Sequence, residues 1–357
     1  MSQSSIEMQV KELADAGMTV RTGARIHRSS EAAPSTLSEL GEAWLIRWAR
    51  NACRNYPVVM KGVGIKYLFD AAGKIPAFVV GIGPSLDQAI DGLKLARGRA
   101  VILSTDAALR ALLANGIKPD LVISYDAQDI QSKLWESVSE KQIPCLFSSC
   151  SHPSSIASWP GPVLFYNQWH QQDELSKTLL PGIFPHIGQI ASGATVGNMA
   201  LMAATIIGCD PVCAVGMDFC YAEDAKGVMR YRAKDYRWKT DRGIGLPDGW
   251  EPTEIAALYD NAKRLARSKV ITVGGRTFTT DPELEMYLDV FERVLPHFKV
   301  PVVNCSPDGM IPHSLFPPMK LMDAVEKYCV THLGPGRTVL PHLYKILEDP
   351  RKNEAGA

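Results

Sequence analysis

Three absences narrow what this chain can do. It has no charge of preferred sign: 38 Lys and Arg face 38 Asp and Glu across 357 residues. A role on nucleic acid or a membrane surface driven by bulk electrostatics is therefore not expected. No apolar run reaches the length of a bilayer span, and the start, MSQSSIEMQVKELADAG, lacks the basic end and apolar core of a secretory signal. CxxC pairs are also missing. Cys53, Cys145, Cys150, Cys209, Cys213, Cys220, Cys305 and Cys329 are scattered, so structural zinc and thioredoxin-type chemistry lack their usual spacing. Buried free thiols in a reducing cytoplasm are expected. There is no internal repeat and no low-complexity tract.

What is present suits one large or two small globular domains, since 46% of residues are hydrophobic and a core of that extent is affordable at this length. The organising stretch is Pro76 to Leu93, PAFVVGIGPSLDQAIDGL. Ala77 to Val80 form a short apolar run typical of a strand buried on both faces. Gly81, Ile82 and Gly83 break it, Pro84 takes the place of a first helical residue, and Ser85 and Asp87 lie in the first turn. Strand, glycine turn and helix can hold a phosphate on backbone N–H groups at the positive helix end. A plain buried βα turn is the alternative, because the dinucleotide pattern GxGxxG has Leu86 at its third glycine.

Regular alternation follows. The spacing predicts strands at Ala100–Leu103, Leu121–Ser124, Pro144–Ser148, Val163–Tyr166, Val212–Val215 and Val300–Asn304, separated by helical patterns, which implies βαβ units and a parallel sheet. Upstream, Thr36 and Glu39 have capping-box spacing for a helix through Trp44 and Trp48 to about Cys53, and a second helix is expected near Gly64 to Ala72. The Trp pair reads as a core-facing stripe or as a ligand platform. Ser192-Gly193-Ala194-Thr195 opens an apolar helix through Asn198 to Ile207, and Gly216-Met217-Asp218-Phe219 ends the strand after it. Ligands of open parallel sheets bind at the carboxyl ends of the strands, so Gly81–Ser85, Asp106, Asp126 and Asp218 are expected on one edge. Residues 220–250 carry Tyr221, Arg230, Tyr231, Arg232, Tyr236, Arg237 and Trp238 without a hydrophobic period. They read as a lid over an anionic substrate or as a solvated loop. Helices are expected at Glu254–Arg267 and after Asp281-Pro282. Residues 318–348 read as a terminal subdomain or dimer contact.

The fold class is therefore α/β: a Rossmann-like, mostly parallel, doubly wound sheet at 60–315, with an N-terminal arm and helix at 1–59 and a C-terminal helical extension at 316–357. GIGPSLD at 81–87, STDAALRALLANGIKPDLVISYD at 104–126 and GATVGNMALMAATIIGCDPVCAVGMDF at 193–219 together resemble the motility-accessory-factor family, which shares its core with the archaeal 6-hydroxymethylpterin diphosphokinase-like domain. TFTTDPELEMYLDVFERVL and VPVVNCSPDGMIP resemble the segment closing that core. The resemblance implies a transferase, in flagellin-modifying members one that moves a nonulosonic acid from its CMP-activated form to a protein hydroxyl, with no cofactor. The glycine turn and the Ser192-Gly193 and Gly216-to-Phe219 segments are also similar to bacterial sialyltransferases that use CMP-sialic acid. By that likeness Gly83, Ser85, Ser192 and Gly193 would contact the nucleotide phosphate and ribose, with Asp218 beside ribose or base and Tyr221 near the phosphate; Gly81, Pro84, Asp106, Thr195, Asn198 and Gly216 are expected in the same nucleotide site.

Two departures bear on chemistry. Those sialyltransferases carry a general-base histidine after Gly-x-Asp-Phe, and this chain has no histidine between His186 and His297. The acidic and His-Asp-Asn motifs by which pterin diphosphokinases bind ATP and Mg²⁺ are replaced by Ser124-Tyr125-Asp126-Ala127 and Ser149-Cys150-Ser151-His152. Asp106 reads as a helix cap or a ribose contact. Asp126 is placed to hold Mg²⁺ against a diphosphate or to act as a base, and His152 is the best-placed histidine for acid–base work. The alternatives to the glycosyltransferase are an ATP-dependent diphosphotransferase with Mg²⁺, and a non-catalytic nucleotide-binding module. No nucleic-acid partner and no metal for the glycosyltransferase are expected; a homo-oligomer is compatible with the C-terminal helices.

Overall fold

Ala77–Val80, the run that anchors the sequence pattern, is buried at all four positions and lies in the middle of a sheet. The computed structural model of the chain describes residues 37–135, 138–169, 174–191, 195–223, 229–233, 239–240, 243–244 and 267–330. In chain order the strands of the main sheet are β1 (Val63–Gly64), β2 (Ala77–Val80), β3 (Val101–Thr105), β4 (Leu121–Ser124), β5 (Cys145–Ser148), β6 (Val163–Trp169), β7 (Gln189–Ala191) and β8 (Val212–Val215). Three short hairpins follow: β9 (Ala222–Glu223) with β10 (Met229–Arg230), β11 (Lys239–Thr240) with β12 (Gly243–Ile244), and β13 (Lys269–Val273) with β14 (Arg276–Thr280). β15 (Val302–Asn304) rejoins the sheet. The helices used below are α1 (Leu37–Val59), α2 (Leu86–Ala96), α3 (Leu109–Ala114), α4 (Pro153–Ser158), α5 (Val196–Ile206), α6 (Pro282–Val294) and α7 (Leu321–Tyr328).

The main sheet runs β1-β6-β5-β4-β3-β2-β8-β15, with β7 also on β6, and every pairing in it is parallel. Strand residues alternate between two cores. Ala77, Val79, Val101 and Leu103 pack beneath α5 and α6, while Phe78, Val80 and Ile102 pack beneath α2 and α7. Both faces are covered, which is why these strands read as continuous apolar runs. The expected α/β, doubly wound, mostly parallel architecture is the one observed.

Some elements differ from expectation. The stretch near Gly64 is a two-residue strand followed by a 3-10 turn over Ile65–Leu68, not a helix. A Cβ on Gly64 would lie 2.0 Å from Ile187 Cα, so backbone approaches backbone there and glycine is required. β1 and β7 both pair with β6, β1 at Leu164 and Phe165 and β7 at Asn167 to Trp169. Two and three residues are too few to show a period in sequence. The β13–β14 hairpin was likewise not marked by pattern; Gly274 and Gly275, at φ +57° and +77°, make its turn. The arm expected at 1–35, residue 36, the helix expected at Glu254–Arg267 apart from Arg267, and residues 331–357 lie outside the described residues.

α1 extends to Val59, past the expected end, because tertiary hydrogen bonds hold it. Asn51 Nδ2 donates to the carbonyls of Ala127 (3.0 Å) and Cys150 (3.1 Å). Asn55 Nδ2 donates to those of Ser149 (3.0 Å) and Ser151 (2.8 Å). Four residues apart, the two amides share one helix face and pin α1 across the carboxyl ends of β4 and β5. Asn55→Ala leaves two buried carbonyls without that donor and is expected to lower stability by about 1–3 kcal/mol. Urea denaturation measures this; a midpoint equal to wild type would mean that α1 is held by its apolar face alone.

Candidate functional site

The chain winds outward from β2 through β3, β4, β5 and β6, then returns to β8 on the other side of β2. The crevice between β2 and β8 is thus the topological switch point, the place where open α/β sheets bind ligands. Val80 lies opposite Val215 in register, so the turns after the two strands meet. Gly81 N–H donates to Val215 O at 2.8 Å, and Gly83 N–H to Gly216 O at 2.7 Å. Ser85 donates to Asp218 Oδ2 from its backbone N–H (3.2 Å) and from its hydroxyl (3.0 Å).

These contacts explain the glycines. A Cβ on Gly81 would lie 2.6 Å from Gly216 O, and one on Gly83 would lie 2.0 Å from Asp218 Oδ2. Gly216 itself has φ +65°, a conformation that disfavours side chains. The N–H groups of Gly81, Gly83 and Ser85, expected to face a phosphate, are each paired inside the fold. Pro84 offers none, and lies in a turn ahead of α2, with Leu86 N–H donating to Gly83 O. Asp218 is 4% exposed. Burial pushes its carboxyl up to about 6, against the two Ser85 hydrogen bonds that lower it.

The loop after β15 closes the crevice from the other side, a role that the turn Ser306-Pro307-Asp308-Gly309 did not disclose in sequence. Met217 N–H donates to Ser306 Oγ at 3.1 Å, and Met310 N–H to Asp218 O at 2.8 Å. Arg276, at the start of β14, donates to the carbonyls of Pro307, Gly309 and Ile311 at 2.9, 3.0 and 3.1 Å. Ala233, in the 220–250 segment, lies against the glycine turn, its N–H donating to Ile82 O at 2.8 Å, and Arg232 stacks on Tyr231. Tyr221 is buried and donates to Asp281 Oδ2 at 2.9 Å, while Asp281 Oδ1 accepts the first N–H groups of α6.

A second group of polar residues lies further along the same edge. Asp106 accepts from Ser124 Oγ (2.8 Å) and from Ala107 N–H (2.7 Å). It sits in a 3-10 turn ahead of α3. Burial raises it to about 6, with Asp126 adding to the rise and Arg232 opposing it. Asp126 is half-buried and accepts from Gln128 N–H (2.9 Å) and Gln131 Nε2 (2.8 Å). Burial raises its carboxyl too, and Arg47 opposes this.

His152 joins the group through its backbone N–H, which donates to Asp126 O at 3.2 Å. Its ring caps α4: Nδ1 accepts Ser154 N–H at 3.3 Å and lies 2.7 Å from Ser154 Oγ. A nitrogen that accepts carries no proton, so the neutral ring bears its proton on Nε2. Burial lowers the imidazole below its ordinary value; Asp129 opposes this and Arg54, Arg50 and Arg47 reinforce it. His186, by contrast, bonds Val59 O and belongs to the scaffold.

Ser192 and Gly193 lie outside the described residues. Just past them Thr195 Oγ1 accepts Asn198 N–H at 3.0 Å and caps α5. Among the described residues no group of three or more His, Cys, Asp or Glu is arranged to hold a metal ion, and no helix is long and apolar enough to cross a membrane. The cysteines are free, and all but Cys53 are buried.

A doubly wound parallel sheet with glycine turns and carboxylates along its carboxyl edge defines a Rossmann-like protein. Residues 50–224 match the family described as 6-hydroxymethylpterin diphosphokinase MptE-like. The fold is similar to the structure of a MAf glycosyltransferase from Magnetospirillum magneticum AMB-1, with a TM-score of 0.50 and 18% identity. That similarity covers 97% of this chain and 50% of the other, so the chain spans half the length of that protein. No curated protein matches the sequence.

Two outcomes are expected at the crevice. Gly83→Ala places a methyl group against Asp218 and Gly216 and should destabilise the fold by about 1–3 kcal/mol; a thermal midpoint equal to wild type would mean the two turns are not in contact. Asp218 has a folded pKa of about 6 against an ordinary value of about 3.9. Its contribution to stability is therefore fully present below about pH 4 and is lost as pH rises through 6. Asp218→Asn should flatten that decline in a series of denaturation curves between about pH 4 and 7. An unchanged slope would place the titration on other groups.

Proposed function

We propose that this chain is a nucleotide-dependent transferase that moves a sugar from an activated nucleotide, of the CMP-linked nonulosonic type, to an acceptor hydroxyl such as one on flagellin. The observation that carries the reading is the coincidence of the switch-point crevice with the glycine turns and Asp218. The match of residues 50–224 to the MptE-like family and the fold similar to that of a glycosyltransferase support it. The nucleotide lies over the crevice, near Gly81 to Ser85, Gly216 and Asp218. Asp106 and Asp126 follow on the next two strands outward. At about 4.8 Å per strand, that step matches the distance from a nucleotide to the sugar it carries.

In this reading the acceptor oxygen bonds the anomeric carbon as the bond from that carbon to the nucleotide phosphate breaks. The acceptor proton passes to Asp126, whose half-buried carboxylate has a raised pKa suited to a base. His152, with its proton on Nε2, donates a hydrogen bond rather than accepting a proton. Segment 229–233, bound to Ile82, covers the donor.

A second reading, ATP-dependent diphosphate transfer, draws on one observation: Asp106 and Asp126 follow adjacent strands, and the charge of Asp126 helps to raise the Asp106 carboxyl. If Mg²⁺ binds, these two carboxylates would hold it and it would neutralise the diphosphate. Calorimetry with CMP and ATP, each with and without Mg²⁺, separates the readings. CMP binding without metal is expected; binding of ATP alone, and only with Mg²⁺, would favour the second, and silence to both nucleotides would leave a protein that binds neither. For transfer itself, the rate should rise with pH through a limb above the ordinary Asp value of about 3.9. Asp126→Asn should remove that limb at a cost of about 10²–10⁴-fold, while His152→Gln keeps it. The reverse pattern would make His152 the base.

A further inference from the structure

We propose that the outer face of α1 docks an acidic polypeptide, a segment of the acceptor carrying several carboxylates, and leads it to the His152 end of the site. The role as acceptor rests on the transferase reading above; the docking surface does not. From Trp44 to Lys61 the chain carries Arg47, Arg50, Arg54 and Lys61 and no acidic residue. The arginine spacings of three and four place all three on one side of the helix. Arg50, Arg54 and Lys61 are exposed and Arg47 is half-buried. Several other lysines and arginines of the described residues form ion pairs, as in Lys118–Glu140 and Lys269–Glu285; among the described residues these four have no such pair.

This face sits at the site. Asn51 and Asn55, on the neighbouring side of α1, bind the carbonyls of Ala127, Cys150, Ser149 and Ser151, the turns that carry Asp126 and His152. The platform is therefore fixed rather than a flexible arm. Its cations are felt in the site, since Arg47, Arg50 and Arg54 each act against a positive charge on His152.

Two features favour a polypeptide over a single small anion. The row from Arg47 to Arg54 runs about 10 Å along the helix, longer than one phosphate or carboxylate. Ile46, Val58 and Met60, exposed at 67%, 44% and 42%, are interspersed with the cations. A chain of acidic residues with apolar side chains between them matches both the charge and the apolar surface.

The test is fluorescence anisotropy with the full chain and labelled peptides of about twelve residues, one alternating Glu with Leu and Ser and one with Gln in place of each Glu. An oligothymidylate of matching charge is the third probe. The Glu peptide is expected to bind, to weaken as salt rises from about 0.05 to 0.3 M, and to lose at least about tenfold in affinity in the Arg50→Glu/Arg54→Glu variant. CMP affinity should be the same in the variant and in wild type, which also reports that the variant is folded. Equal binding of the Gln peptide, or a Glu peptide indifferent to the two substitutions, would overturn the proposal. Tighter binding of the oligothymidylate would overturn it in favour of nucleic acid. Charge-dependent peptide binding in a protein that binds no nucleotide would keep the docking surface and remove the transferase reading.

Discussion

Everything at the centre of this protein depends on how closely two turns approach. The loops after β2 and β8 meet across the switch point, with Gly83 bonded to Gly216 and Ser85 bonded twice to Asp218. No Cβ fits at Gly81 or Gly83. That contact buries the Asp218 carboxylate beside the backbone N–H and hydroxyl of Ser85, and burial raises its pKa. The loop after β15 then packs against Asp218 from outside, and Arg276 holds that loop by three carbonyls. A hairpin distant in sequence thus determines the shape of the crevice.

The carboxyl edge of the sheet has two ends of different character. At the β2–β8 end the polar groups are satisfied by one another and are nearly inaccessible. Toward β4 and β5 Asp126 and His152 are half-buried, arginines oppose the raised carboxyls of Asp106 and Asp126, and a helix from the N-terminal segment crosses above them.

His152 shows why residue type alone is a weak guide to mechanism. It lies on the right edge and beside a carboxylate-bearing turn, yet Ser154 N–H occupies its Nδ1, so the ring is set up to donate from Nε2. Asp126, by contrast, has its carboxylate held by Gln128 and Gln131. The difference is one local hydrogen bond at the start of a six-residue helix.

The sequence by itself determined the doubly wound sheet, the positions of its main strands along the chain and the edge on which Asp106, Asp126 and Asp218 gather. Those follow from apolar runs buried on both faces and from turn residues at their ends, both of which are local properties. It also marked Gly81, Gly83 and Gly216 as positions of special backbone. Only the tertiary structure decided what those glycines face, because a phosphate and a neighbouring carbonyl demand the same missing side chain. It alone joined Asn51 and Asn55 to turns some 76 to 99 residues away, set α1 over the site, and brought Arg276 to the loop after β15. Such contacts leave no period in the sequence, since they are made by single side chains to backbone carbonyls, which every residue carries alike.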